Sequence, residues 1–394
     1  MDFKAKLGLL ARPAVSAPVV STPRRESPLS ALIPPTPTAA GVLHVVQSRS
    51  PAPVLPYAAT LGVLGLDETF SGIDVSRVLF LDTETTGLSG GAGTLPFLVG
   101  LAFVNDGELV VEQLHLSGPG AERPVLARLS ERVEAASAIV SFNGRSFDWP
   151  LLRTRFVMNR LTPPSPRPHL DLLHASRRVL RHWQRETRLS TVEGAVLDVH
   201  RVGDLDGSQV PAAWFDFLRT GRVATLARVL SHNLQDLRST AALLAWLGAS
   251  WSEQVAVTSE VSLGLGELAE RAHFPQKAER FFERATSSEM VDVQARALIA
   301  LGRTLRRRGA LDQAAATWER AVPLCEDAST LHLALARLYE HRLRDARAAE
   351  RHAVLAKPVE EPMVHARRVA RLSRKRQLVL AMGQVHLSRA RDPE

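Results

Sequence analysis

The eleven-residue run VLFLDTETTGL, Val78 to Leu88, constrains this chain more than any other stretch. Val78, Leu79, Phe80, Leu81 and Thr83 are apolar or β-branched and the run breaks at Gly87, the pattern of a buried strand ending in a turn. Side chains alternate along a strand, so Asp82 and Glu84 share one face, a few ångströms apart. Carboxylates that close repel unless one is protonated or a cation lies between them, and magnesium or manganese, hard ions with oxygen ligands, suit the pair. A wet strand edge is the competing reading. Against it stands the poor fit of acidic residues to an otherwise apolar strand.

At 394 residues the chain has room for about two or three domains and a substantial core. No uninterrupted apolar run is long enough to span a bilayer, so no membrane partner is expected. The net charge of +8 admits a polyanionic partner. Arginine supplies nearly all of that charge, with only five lysines among 49 basic residues, a bias that a GC-rich genome also produces. A single cysteine, Cys325, excludes an intrachain disulfide and a cysteine-built zinc site. The opening MDFKAKLGLLARP lacks a signal peptide's apolar core and cleavage site, and a cytoplasmic location is expected.

Residues 1–60 hold ten prolines among Ser, Thr and Ala and read as a mobile, disordered arm. From 61 to 250 strands alternate with helices. PFLVGLAFV (96–104) and ELVVEQLHL (108–116), joined by Asn105-Asp106-Gly107, form a hairpin that extends the Asp82 strand into an antiparallel meander. Further elements are a helix over 122–136, a strand over 137–143, a helix over 147–160, and helices near 172–186, 189–197, 211–220 and 222–247. The fold class is therefore α/β, a mixed sheet flanked by helices. Residues 255–356 are all-helical, with segments ending at Ala285, Ala321 and Ala356 at intervals of 36 and 35 residues. They resemble tetratricopeptide repeats, whose period is about 34, and ordinary bundle helices are the plainer alternative. Residues 357–394 form a basic tail whose Arg367, Arg368, Arg371, Arg374, Lys375 and Arg376 suit a solvated helix face or a phosphate contact.

Two further stretches carry acids. In SFNGRSFDWPLL (141–152) a strand delivers Asn143 and then Asp148 at a helix start, where Asp148 is also a natural cap. In SHNLQDLRSTAALL (231–244) His232 and Asp236 share a helix face, which taken alone describes a surface pair. Asp171 reads first as the cap of the helix from Leu172 and second as a site residue. Arg177, Arg178 and Arg181 lie on one face of that helix, suited to steering a phosphate backbone or simply solvated.

Together, D-x-E on the first strand, N-x3-F-D at a strand-to-helix junction and H-x3-D on a late helix resemble the three exonuclease motifs of the DEDD branch of the ribonuclease H-like superfamily. Residues 60–247 are similar to the bacterial YprB-like predicted exonucleases, including HLDLLHASRRVLRH (169–182) and RLSTVEG (188–194), where Glu193 matches a family position. The resemblance implies that Asp82, Glu84, Asp148 and Asp236 bind two divalent cations, Mg2+ or Mn2+. It also implies that His232 is the general base in a 3′ to 5′ exonuclease acting on DNA or RNA. Asn143, Asp171, Arg177 and Arg178 are the expected substrate contacts, and the helical repeats the expected dock for a protein partner. One departure stands out: His232 precedes Asp236 by four residues, the interval of tyrosine-type members, where histidine-type members commonly use five. The rival from another class is a non-catalytic nucleic-acid-binding adaptor, and an endonucleolytic ribonuclease H is a third reading.

Overall fold

The computed structural model describes residues 28–87, 93–357 and 359–389. The apolar run around Asp82 forms β3 (Val78–Thr85), and its burial on both faces follows from its place inside a seven-stranded mixed sheet. On one side lie β4 (Pro96–Asn105) and β5 (Glu108–His115), antiparallel to β3 and to each other. Their connection places Asp106 and Gly107 at φ of 51° and 79°, the left-handed pair that a two-residue hairpin requires. On the other side β6 (Ala138–Ser141) and β7 (His169–Asp171) run parallel to β3.

The expected proline-rich arm is corrected over residues 28–60. Here the chain forms α1 (Pro28–Leu32), β1 (Pro35–Thr38), β2 (Gly41–Pro51) and the start of α2 (Ala58–Gly65), and β2 pairs antiparallel with β5 from His44 to Pro51. Prolines are tolerated because they sit in the outermost strand or at a strand end, where no ladder amide is needed, and Gly41–Ser50 contains none. Residues 1–27 of that arm, and residues 88–92 of the glycine-rich turn after β3, lie outside the described residues.

Helices cover both faces. One core layer takes Leu126 and Val133 of α3 (Glu122–Ala135), Leu152 and Phe156 of α4 (Asp148–Met158) and Trp214 of α7 (Val210–Thr220). The other takes Leu61 and Leu64 of α2 and Ala175 and Val179 of α5 (Leu172–Leu180). The short helix α6 (Leu189–Val192) follows α5. The 28-residue helix α8 (Ala224–Trp251) serves both layers, its first turns joining one and Leu237–Leu247 the other. His232 and Asp236 fall between those two halves, where α8 crosses β3 and β4. Gly100 in β4 permits the crossing: a Cβ there would lie 2.7 Å from Asn233 Nδ2 and 2.7 Å from Leu237 Cδ1.

The remaining chain is helical: α9 (Ser259–Arg271), α10 (Pro275–Ala285), α11 (Val291–Arg308), α12 (Leu311–Ala321), α13 (Ser329–Leu338), α14 (Ala346–Leu355) and α15 (Pro362–Arg389). Gly266 of α9 faces the Phe282 ring of α10, and Gly302 of α11 faces the Trp318 indole of α12, both partners displaced by the same 36 residues. No linker separates this region from the sheet, because one continuous core runs from Leu61 to Leu338. Much of the basic tail is neutralised internally. Arg371 and Lys375 donate to Glu340 at 2.8 and 2.9 Å, and Arg376 pairs with Glu350 at 3.0 Å. No described helix is long and apolar enough to cross a membrane.

Candidate active site

Asp82 and Glu84 project from the C-terminal half of β3. Asp148 opens α4, and Asp236 lies on α8. The fold brings these four carboxylates into one acidic cluster. Burial raises the carboxyls of Asp82 and Glu84 well above the usual range, and the neighbouring charges of Asp236 and Asp148 add to that rise in both. Burial lifts Asp148 to about 6, against the opposing bond from the Thr83 hydroxyl to its Oδ1. Asp236 is raised by burial and held back by His232 and Arg201. A cluster that stores this much like charge calls for a cation.

His232 sits among the acids. Its Nε2 lies 3.9 Å from Glu84 Oε1 and 3.6 Å from Asp236 Oδ2, and one ligand atom from each of these three residues falls within a 4.8 Å span. Its Nδ1 meets both oxygens of Asp204 at 2.8 Å, so Nδ1–H donates to that carboxylate and Nε2 is left facing the cluster. The oxygen-rich donor set fits a hard divalent cation: Glu84, His232 and Asp236 offer ligand atoms within one ion's reach, and Asp82 and Asp148 stand beside them as further carboxylates that could join.

Several neighbours escaped the sequence reading. Asn233, fully buried, donates from Nδ2 to Asp82 Oδ2 at 2.7 Å, while its Oδ1 accepts from Gln113 Nε2 at 2.9 Å. Gln113 thereby fixes which way the amide faces and, through it, how Asp82 is held. Arg201 forks onto Glu193 with two 2.6 Å bonds, reaches Asp204 at 2.9 Å and donates to Asp236 Oδ1. Glu193, whose motif position named no task, thus anchors the arginine that steadies Asp236. Only a glycine in mid-strand and an asparagine between His232 and Asp236 hinted at part of this network. Arg201 and Asp204 stand in an irregular loop with no periodicity to betray them.

The four expected substrate contacts have different surroundings. Asp171 is the cap of α5, accepting from Leu173 N at 3.1 Å, and it also accepts from Asn143 N at 2.7 Å and Arg145 N at 3.3 Å. It therefore ties down the loop that leads to Asp148. Asn143 takes a left-handed φ of 68°, which asparagine tolerates, and its side chain is exposed beside that loop. Gly144 follows because a Cβ there would meet Asp148 Oδ2 at 2.9 Å. Arg177 is exposed, whereas Arg178 is half-buried and donates from Nη1 to the Leu64 carbonyl at 2.8 Å, a bond that joins α5 to α2. The structure thus gives Arg178 a packing partner away from the carboxylates.

A family model described as RNase_H superfamily matches residues 79–248. An uncharacterized protein of Bacillus subtilis (strain 168), YprB, is 30% identical over 295 residues, covering 71% of this chain and 70% of its own. Among solved structures, the family B DNA polymerase of the archaeon Pyrobaculum calidifontis aligns with a TM-score of 0.35 and 17% identity, over 59% of this chain and 29% of the polymerase.

Proposed function

Because this chain belongs to the YprB family and carries a ribonuclease H-like domain, we propose that it is a metal-dependent exonuclease that shortens a nucleic-acid strand from its 3′ end. The observation that carries this reading is His232, turned by Asp204 so that its Nε2 stands between Glu84 and Asp236 within the acidic cluster. Two magnesium or manganese ions held by Asp82, Glu84, Asp148 and Asp236 would supply activation of water and neutralisation of charge developing on the phosphodiester. His232 Nε2 takes the proton of the attacking water, and the Asp204 carboxylate stabilises the resulting imidazolium. Asn233 holds Asp82, Arg201 holds Asp236, and the Asp171 bonds hold the loop before Asp148, so three of the four acids are fixed before substrate arrives. The helical region, read as tetratricopeptide-like repeats, would dock a protein partner.

The test is hydrolysis of 3′- and 5′-labelled DNA, RNA and hybrid oligonucleotides with manganese, using Asp82→Ala as the blank. Stepwise loss from the 3′ end that disappears in the variant is the expected result. Internal cuts would overturn the exonuclease assignment, and full activity of a clean Asp82→Ala preparation would overturn the site.

A further inference from the structure

A second feature lies outside the carboxylate cluster. The end of α5 and the loop to α6 form a concavity of about 630 Å³ lined by Arg177, Arg181, Arg185, Glu186, Thr187 and Arg188. Counter-charges are few. Arg188 meets Glu186 at 3.0 Å with both side chains largely in solvent, and Arg181 pairs with Glu267 of α9. Arg177 has only the Thr187 hydroxyl, at 3.1 Å, and Arg185 has no hydrogen bond or ion pair among the described residues. The lining offers guanidinium forks and no apolar side chain, the reverse of a protein-binding patch with its apolar core. Arginine forks suit phosphate oxygens.

Both walls of the concavity lead to the acids. α5 is capped by Asp171, which secures the loop before Asp148, and Arg177 follows six residues later, about 9 Å along the helix axis. Arg188 is the N-cap of α6, and the next turn carries Glu193, which grips Arg201 and through it Asp236. Asp206 lies within electrostatic reach of both Arg188 and His232. Its carboxyl is kept low first by Ser208 and, in smaller part, by the charges of Arg188 and His232.

We propose that this arginine concavity is a separate contact for the phosphodiester backbone of the nucleic acid, holding the strand a few phosphates away from the bond being cut. The proposal rests on the nuclease reading above. Backbone contacts of this kind position a strand without reading its sequence, so DNA and RNA of any sequence qualify.

The test is fluorescence anisotropy of a labelled single-stranded oligonucleotide with the full chain in EDTA, where no cutting occurs, across a range of salt. Arg177→Ala/Arg185→Ala removes the two guanidiniums without carboxylate partners. This variant should bind at least tenfold more weakly, and the slope of log K against log salt should fall by about 1.4, roughly 0.7 for each lost single-strand contact. Affinity within twofold of wild type with an unchanged slope overturns the proposal, as does preferential loss for one sequence. Stabilisation by manganese, read as a shift in Tm, should survive in this variant and vanish in Asp82→Ala. Loss of that shift in Arg177→Ala/Arg185→Ala would mean the arginines act through the acidic cluster and would equally overturn a separate contact. If the wild-type chain binds normally yet shows no manganese-dependent hydrolysis, the nuclease reading fails while the binding result stands.

Discussion

Replacing Gly100 by alanine tests the architecture with one methyl group. The new Cβ would stand 2.7 Å from Asn233 Nδ2 and 2.7 Å from Leu237 Cδ1, and neither neighbour is free to retreat. Leu237 is fully buried, and Asn233 is held between Gln113 and Asp82. Overpacking of this kind costs about 1–3 kcal/mol. Weakening the amide's bond to a carboxylate adds about 1.5–3 kcal/mol. The sum is roughly 2.5–6 kcal/mol, or a Tm lowered by roughly 5–12 °C at ~2 °C per kcal/mol. Because His232 and Asp236 ride on the displaced helix, hydrolysis should fall in parallel. A double-mutant cycle by thermal denaturation separates causes: with Asn233→Ala in place, the bond is already lost and part of the space is freed, so Gly100→Ala should cost at least about 1.5 kcal/mol less than it does alone. A single variant within ~1 °C of wild type, or a strictly additive cycle, would refute the claim that α8 is seated on this glycine.

Arg201→Met should cost about 3–5 kcal/mol, measured as a shift of the urea midpoint, because it strands the fully buried Glu193 carboxylate without its partner; a variant as stable as wild type would show that the fork carries no weight. In metal-free protein, Asp148 holds its proton to about pH 6 in the folded state but releases it near 3.8 when unfolded, so the folded chain binds more protons across that window and stability falls as pH rises. From pH 5 to pH 7 the loss from Asp148 alone should be about 1 kcal/mol by denaturant titration, and it should disappear in Asp148→Asn; stability rising with pH in the wild type by an amount that Asp148→Asn removes would contradict the assignment.

The parts of this molecule that were legible in sequence are those whose signal is local. β3 shows as an apolar run, the β4–β5 hairpin as Asn105-Asp106-Gly107, and α8 as a long helical pattern. The motif residues on the strand, the strand-to-helix junction and the late helix were readable for the same reason. β1 and β2 are not legible because prolines dominate the composition of the whole arm, while all of β2 before its terminal Pro51 is proline-free. The ring of Glu193, Arg201 and Asp204 around His232 was hidden for another reason. Its members are joined by a loop between π-helical turn and 3-10 turn, where neither spacing nor alternation links a residue to its function.

At the junction of sheet and helical region, Gly264 of α9 presses onto the Val179 carbonyl so closely that a side chain has no room. Val179 belongs to the helix that Asp171 caps, and Asp171 in turn fastens the loop before Asp148. A shift of α9 therefore bears directly on α5, the helix whose cap fastens the loop before Asp148.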